Sequence, residues 1–303
     1  MEDRYPESVI FFTCVRTIGQ RSDARLLIDS MRSFGGEMSE NPIWVFEVDP
    51  QNIPCGSLAG EGVKILPLEV PQSVGSYYYG AKVYACARAE ELAPAEVGTL
   101  VWLSPENLII QPPLLFDLGE LYDVAVRPVH IKNVGSPVNE PPDEFWTKVY
   151  NAVGVRDMGT AVETFIDPQM IRAYFNSAAY AFRPSVGLGQ RWFEMFELLV
   201  NDSQFQDGPC RDDWHQVFLH QAVLSTLIAS QLDPDRIMTL PPDYIYPYNL
   251  HQDVPLDRRA GSLNDLVCIF HEGRSLVPDD INDIGVEEPL RSWLANRSGD
   301  MSG

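Results

Sequence analysis

The first 130 residues alternate between short apolar runs rich in β-formers and segments of helical period, and few folds accommodate that rhythm. SVIFFTCV (8–15) is a continuous apolar run of the kind a strand buried on both faces shows. After the polar stretch RTIGQRSD, residues Ala24, Leu27, Ile28, Met31 and Phe34 recur at helical spacing until Gly35-Gly36 ends the pattern. Ser22 or Asp23 is the expected cap of that helix. NPIWVFEVD and GVKILPLEV then read as strands, GAKVYACARAEEL as a helix closed by Pro94, TLVWLSPENLII as a strand and sharp turn, and YDVAVRPVH as another strand. Strands spaced by helices imply right-handed βαβ units: an α/β fold with a mostly parallel central sheet and helices on both faces. Ligands of such sheets bind beyond the carboxyl ends of the strands. That rule points to Thr13–Arg16, Glu47–Asp49, Ser104–Asn107 and Arg127–His130.

Residues 132–160 hold Gly-Ser-Pro and Glu-Pro-Pro turns before DEFWTKVYNAVGV, a helical segment read as part of an insertion over the sheet edge. The segments MIRAYFNSAAYAFRP, GQRWFEMFELLV, HQVFLHQAVLSTLIA and LNDLVCIFHEG mix strands and long helices, with no internal repeat or clear linker. One domain over 1–275 is therefore expected, followed by a C-terminal helix and flexible tail at 276–303 that docks through Leu290, Trp293 and Leu294.

Composition narrows the function classes. Forty-three acidic against 22 basic residues give a formal charge of −21, which repels a nucleic-acid backbone or an anionic membrane surface. No run approaches the roughly 20 apolar residues of a bilayer span. Residues 1–8, MEDRYPES, carry charge and proline where a secretory signal needs an apolar core. The five cysteines (Cys14, Cys55, Cys86, Cys210, Cys268) are odd in number and form no C-x-x-C pair, so they read as reduced, mostly buried thiols of a cytoplasmic protein.

Four segments, in order, carry a family resemblance: LVWLSPENLIIQPPLLFDLG, YFNSAAYAFRP, FLHQAVLSTL followed by RIMTLPPDYIYPYNL, and VCIFHEGR. Together they resemble the GT-A-type nucleotide-sugar glycosyltransferases, similar to the glycogenin and bacterial galactosyltransferase class, over roughly residues 8–275. The resemblance implies a single GT-A-like domain, a nucleotide-sugar donor (a UDP-sugar), an acceptor left unidentified, and a manganese or magnesium ion bridging the donor diphosphate. Where the class has Asp-x-Asp this chain has Ser104-Pro105-Glu106, leaving Glu106 and His271 as the implied metal ligands, fewer than such an ion prefers. Gln221 matches the residue facing the sugar's anomeric carbon, and His220 stands where the class has aspartate. Asn176 and Ser177 match the sugar-binding segment, with Ala178 in place of its glycine.

The residues themselves add further candidates. Thr13 and Arg16 end the first strand and face nucleotide or phosphate by the strand-end rule, and Asp49 reads either as a ribose or uracil acceptor or as a turn-former before Pro50. Lys82 opens a helix after Tyr79-Gly80, where amides and the helix dipole attract phosphate. Clustering of Arg16, Lys82, Arg127 and Arg274 is what a diphosphate site in so acidic a chain requires. Asp212, Asp213 and His215 read as helix caps or as lining for the acceptor side. A catalytically inert GT-A-like binding or scaffold module is the rival expectation, which the altered Asp-x-Asp turn favours. A different nucleotide-binding α/β enzyme is disfavoured because no G-x-G-x-x-G or P-loop follows the first strand.

Overall fold

The computed structural model describes residues 8–155 and 158–297. The amino-terminal stretch read as unlike a signal, apart from Ser8, and residues 298–303 at the end of the expected 276–303 helix and tail lie outside the described residues.

The elements run β1 (Ser8–Val15), α1 (Ile18–Phe34), β2 (Ile43–Glu47), β3 (Val63–Pro67), α2 (Gln72–Gly75), α3 (Gly80–Leu92), β4 (Val97–Leu103), β5 (Asn107–Ile109), β6 (Val124–Val126) and α4 (Glu144–Val153). They continue with β7 (Ala161–Glu163), β8 (Met170–Arg172), β9 (Ala179–Phe182), α5 (Leu188–Val200), α6 (Ser203–Asp207), α7 (Asp213–Gln231), β10 (Ile237–Thr239), β11 (Tyr246–Pro247), β12 (Cys268–Phe270) and α8 (Leu290–Arg297). Among the described residues a seven-stranded sheet has the order β10-β6-β9-β4-β1-β2-β3. β1, β2 and β3 pair in parallel, β10 is parallel to β6, and β9 runs antiparallel to β6. The sheet is mostly parallel, as the strand–helix rhythm predicts.

The first helix begins earlier than its apolar period suggests. Thr17, extended at φ −133° and ψ 161°, accepts from Gln20 N, so α1 starts at Ile18 and the expected cap residues Ser22 and Asp23 lie inside it. Residues 18–23 (IGQRSD) are exposed or half-exposed and, apart from Ile18, carry no apolar side chain, so no apolar period registers there.

The chain divides into two compact units. One holds Leu68–Trp102, Phe116–Thr239 and the described residues before Phe11; the other holds Phe11–Pro67, Leu103–Leu115 and the described residues from Leu240 on. In the first, α5 meets α3 through Gly189, where an added Cβ would stand 2.7 Å from the Cys86 carbonyl oxygen. The half-buried Glu90 carboxylate accepts Gly189 N at 3.0 Å and Gln190 N at 2.9 Å, satisfying two of the open amides of α5. α7 is buried on every side from Leu219 to Ile228, so its core carries no amphipathic signal.

In the second unit, β12 pairs parallel to β11 and antiparallel to β5. α1 seats against β5, with Ser30 Oγ accepting Ile109 N at 3.1 Å. α8 docks on α1: Trp293 Nε1 donates to Ser33 Oγ at 2.8 Å and its ring meets Phe34 edge-on, while Leu290 and Leu294 are buried. β3 ends the large sheet on this side, with Lys64 and Pro67 exposed.

Candidate functional site

In the first unit Lys82, Ser177, His220 and Gln221, four of the polar residues singled out from sequence, form one hydrogen-bonded group. It begins at Tyr79, which takes the left-handed conformation (φ 59°, ψ 11°) and delivers the chain into α3. Gly80 follows because a Cβ there would lie 2.0 Å from the Val74 carbonyl oxygen. One turn in, Lys82 is buried, and its ammonium donates to the Ser177 carbonyl and, at 2.9 Å, to Ser177 Oγ. That ammonium lies 5.5 Å from the Tyr79 ring centroid and 5.3 Å from that of Trp102. Trp102 Nε1 donates to the same Ser177 carbonyl at 3.1 Å.

Ser177 is the hub. Its Oγ is 2.9 Å from His220 Nε2 and 3.1 Å from Gln221 Oε1, and Gln221 Oε1 also accepts Ser177 N at 3.2 Å. His220 Nδ1 lies 2.9 Å from the Val217 carbonyl oxygen, so Nδ1 carries the proton and Nε2 is an acceptor that shares the single Ser177 hydroxyl proton with Gln221 Oε1. Burial, then the nearby Lys82 charge, holds the His220 pKa well below the ordinary histidine range, so the ring is neutral. The Tyr79 ring stacks on it at 4.3 Å. Behind the group, Ser225 Oγ donates to Gln221 O at 2.7 Å and accepts Phe175 N at 2.8 Å, holding α7 to the segment before β9.

Other expected residues of this unit have local partners. Asn176 Oδ1 accepts Ala178 N at 2.7 Å and its own amide donates to Arg127 O at 2.7 Å, a turn-forming role. Arg127 and His130 are buried, with the Arg127 guanidinium 4.5 Å over the Phe165 ring. Asp212 caps α7 by accepting His215 N at 3.1 Å, as read from sequence. Sequence offers Tyr79 and Trp102 only as side chains that would fill the pocket of an inert module; the folded chain sets both rings beside the Lys82 ammonium.

In the second unit, the turn after β4 closes with Asn107 N donating to Ser104 O at 3.0 Å. Within it Ser104 Oγ donates to Glu106 Oε2 at 2.9 Å, and Gln20 Nε2 reaches Glu106 Oε1 at 3.4 Å. The β5–β12 ladder pairs Phe270 with Asn107, and one residue beyond it His271 N donates to Glu106 O at 3.0 Å. Glu106 and His271, far apart in sequence, are therefore neighbours. His271 is buried with no hydrogen-bond partner on Nε2, and burial lowers its pKa to about 4. Two further acids feel the Glu106 charge: burial and then Glu106 raise Asp23 to about 6, and the same two causes raise Glu272, which accepts from Asn249 Nδ2 at 3.1 Å. Neither was a sequence candidate for this group, because nothing in spacing links residues 23, 106 and 272.

Manganese or magnesium takes about six oxygen-rich ligands. Among the described residues no three His, Cys, Asp or Glu side chains converge as a metal-binding set, so the residues around Glu106 and His271 do not fit a resident divalent ion.

Thr13 lies within β1 opposite Val45, almost fully buried, with its Oγ1 lacking a hydrogen-bond partner. Arg16 is exposed just past the strand. Arg274 is engaged, paired to Asp283 and 4.1 Å over the Tyr248 ring. Asp49 accepts Asn52 N at 3.1 Å and Nδ2 at 2.8 Å, bonds that lower its pKa and give it the turn-forming place open to it in sequence. All five cysteines are free and buried. No helix among the described residues is long and apolar enough to cross a membrane.

No family profile matches the sequence. No curated protein matches it either. Solved structures do match in fold. The galactosyltransferase LgtC, in complex with donor and acceptor sugar analogs, aligns over 97% of this chain and 94% of its own at 13% identity and a TM-score of 0.53. An active-site mutant of LgtC aligns over 97% of this chain and 95% of its own at 13% identity and a TM-score of 0.55. The apo WbbM bifunctional glycosyltransferase aligns over 98% of this chain and 53% of its own at 12% identity and a TM-score of 0.52. The chain thus has a GT-A-like glycosyltransferase fold.

Proposed function

We propose that this chain binds a nucleotide sugar of the UDP type and transfers its sugar to an acceptor hydroxyl. The observation that carries the reading is the group formed by Lys82, Ser177, His220 and Gln221, a buried polar network in a core of apolar and aromatic side chains. Such a network is costly to keep and serves ligand chemistry better than stability. The fold shared with LgtC, a galactosyltransferase solved with donor and acceptor sugar analogs, supports the choice of ligand.

In the reaction the bond from the anomeric carbon to the diphosphate oxygen breaks, the acceptor oxygen bonds to that carbon, and the acceptor proton leaves. Charge grows on the departing diphosphate, and fixed donors aimed at it lower the barrier. Lys82 supplies the cation, and Gln221 and Ser177 present the groups suited to the sugar, with Asn176 beside them. His220, being neutral, adds no competing charge. Thr13 and Asp49 remain candidate nucleotide contacts, and Glu106 with His271 a polar pair at the β4 turn. No step is assigned to a metal ion. Buried free thiols and acidic composition agree with a cytoplasmic setting for one GT-A-like domain.

The test is a panel of nucleotide sugars with wild type and Gln221→Ala, followed by UDP release and thermal shift. The expected outcome is turnover with one donor that falls at least about 100-fold in the variant, roughly the loss of one transition-state hydrogen bond. No thermal shift with any donor, with or without manganese, ends the reading.

A second reading, an inert GT-A-like binding module, has one observation in its favour. Lys82, Ser177, His220 and Gln221 satisfy one another and are only 6%, 3%, 3% and 6% exposed. It predicts binding of UDP or a UDP-sugar without turnover in the same assays.

A further inference from the structure

A cavity of about 270 Å³ lies on the outer side of α1, wholly within the second unit and built from residues that the proposed transfer reaction does not use. Arg21, Arg25 and Asp29 lie at successive four-residue steps, hence on one face of the helix, with the Ser22 hydroxyl beside them. Arg297, from α8, completes the wall, Ser57 stands opposite, and the buried Leu26 and Leu58 form an apolar floor. Three arginines against one aspartate leave this cavity about +2, in a chain that carries 43 acidic and 22 basic residues. Such a concentration runs against the composition of the whole.

The arginines are held in place without being used up. Arg21 Nη1 donates to Pro54 O at 3.2 Å, and Arg25 Nη2 donates to Ser57 O. Asp29 answers part of the charge, at 3.9 Å from Arg25 Nη1 and 3.5 Å from Arg297 Nε. Arg297 Nε is buried with no hydrogen-bond partner, and its guanidinium lies 3.9 Å over the Trp293 ring. A guanidinium has five N–H donors, so these contacts anchor each side chain and leave donors over. Planar, fixed guanidinium groups around a small cavity match the oxygens of a phosphate, which they bind in bidentate fashion. The volume sets the size: about 270 Å³ is below the usual range for drug-sized ligands and suits a phosphate with a small organic body.

We infer that this cavity is a binding site for a small phosphate-bearing anion. The phosphate sits among Arg21, Arg25 and Arg297, hydroxyls of Ser22 and Ser57 add donors, and the leucine floor takes the apolar part of the body.

The experiment is isothermal titration at low ionic strength with two probes, inorganic phosphate and a hexose 6-phosphate, with saturating UDP present to occupy any nucleotide site. Two variants accompany the wild type. Arg21→Ala with Arg25→Ala removes the fork; Ser22→Asp, at an exposed helix position, places a carboxylate where the anion would sit and leaves the arginines in place. Binding of at least one probe is expected in the wild type, with affinity at least tenfold weaker in both variants and a melting temperature for Ser22→Asp no lower than that of the wild type. Tighter binding of the hexose phosphate identifies a phosphate ester as the occupant; equal binding identifies the free ion. No binding of either probe to the wild type, or wild-type affinity in either variant, overturns the assignment.

Discussion

Asp23 offers a stability test whose sign opposes the usual behaviour of a folded-state carboxylate. Burial and the Glu106 charge raise its pKa from 3.8 to about 6. The folded chain therefore holds a proton on Asp23 that the unfolded chain has released between those two pH values, and stability must fall as pH rises through that window. At about 1.4 kcal/mol per pKa unit the shift corresponds to about 3 kcal/mol. Asp23 is only partly buried, and solvent screening reduces the measurable effect to about 1.5 kcal/mol. Asp23→Asn removes the charge and little else. Its melting temperature should equal that of the wild type below pH 4 and exceed it by about 2–4 °C at pH 8, read by scanning calorimetry across that range. A difference that does not vary with pH, or a variant less stable than wild type at pH 8, would show that the Asp23 carboxylate makes a favourable contact and that its repulsion with Glu106 is not felt.

Three more expectations follow from particular contacts. Gly189→Ala drives a methyl group toward the Cys86 carbonyl and should cost about 1–3 kcal/mol in urea unfolding, by forcing α3 and α5 apart. His271, lowered by burial to about 4, is neutral in the folded chain while the unfolded chain takes up a proton below pH 6.5; stability should drop between pH 6.5 and 4, and His271→Gln should flatten that acid limb. Cys86, with its thiol pushed up to about 12, and Cys55 and Cys210, each at about 11, should resist an aromatic disulfide reagent at pH 8 until the chain is unfolded, when all five thiols react.

Much of the architecture was legible because strand and helix periods differ so plainly. GAKVYACARAEEL became α3 residue for residue, and TLVWLSPENLII became β4, a tight turn and β5. The start of α1 was not legible, since its first turns show no apolar repeat. The three-residue strands β7 and β8 were hidden for a related reason: pairing partners define them more than composition does. At the candidate sites, residue type and motif brought Ser177, His220 and Gln221 to notice, and the chain does place them in contact. Spacing could not reveal that Lys82 reaches Ser177 from 95 positions away, or that Asp23 and Glu272 come under the charge of Glu106. Such meetings are products of topology, and they shift ionisation in ways no local window contains.

The side of the large sheet formed by β3 bears on how copies of this chain meet. A terminal strand presents a row of amides and carbonyls to which a strand from another molecule can add. Here that strand has only five residues, places Lys64 outward across from Trp44, and finishes in Pro67, which has no amide to give. An incoming strand would have to desolvate an ammonium and skip a hydrogen bond within one short ladder, so the rim discourages fibre-like stacking at high concentration. Exchanging Lys64 and Pro67 for valine would turn it into an adhesive margin.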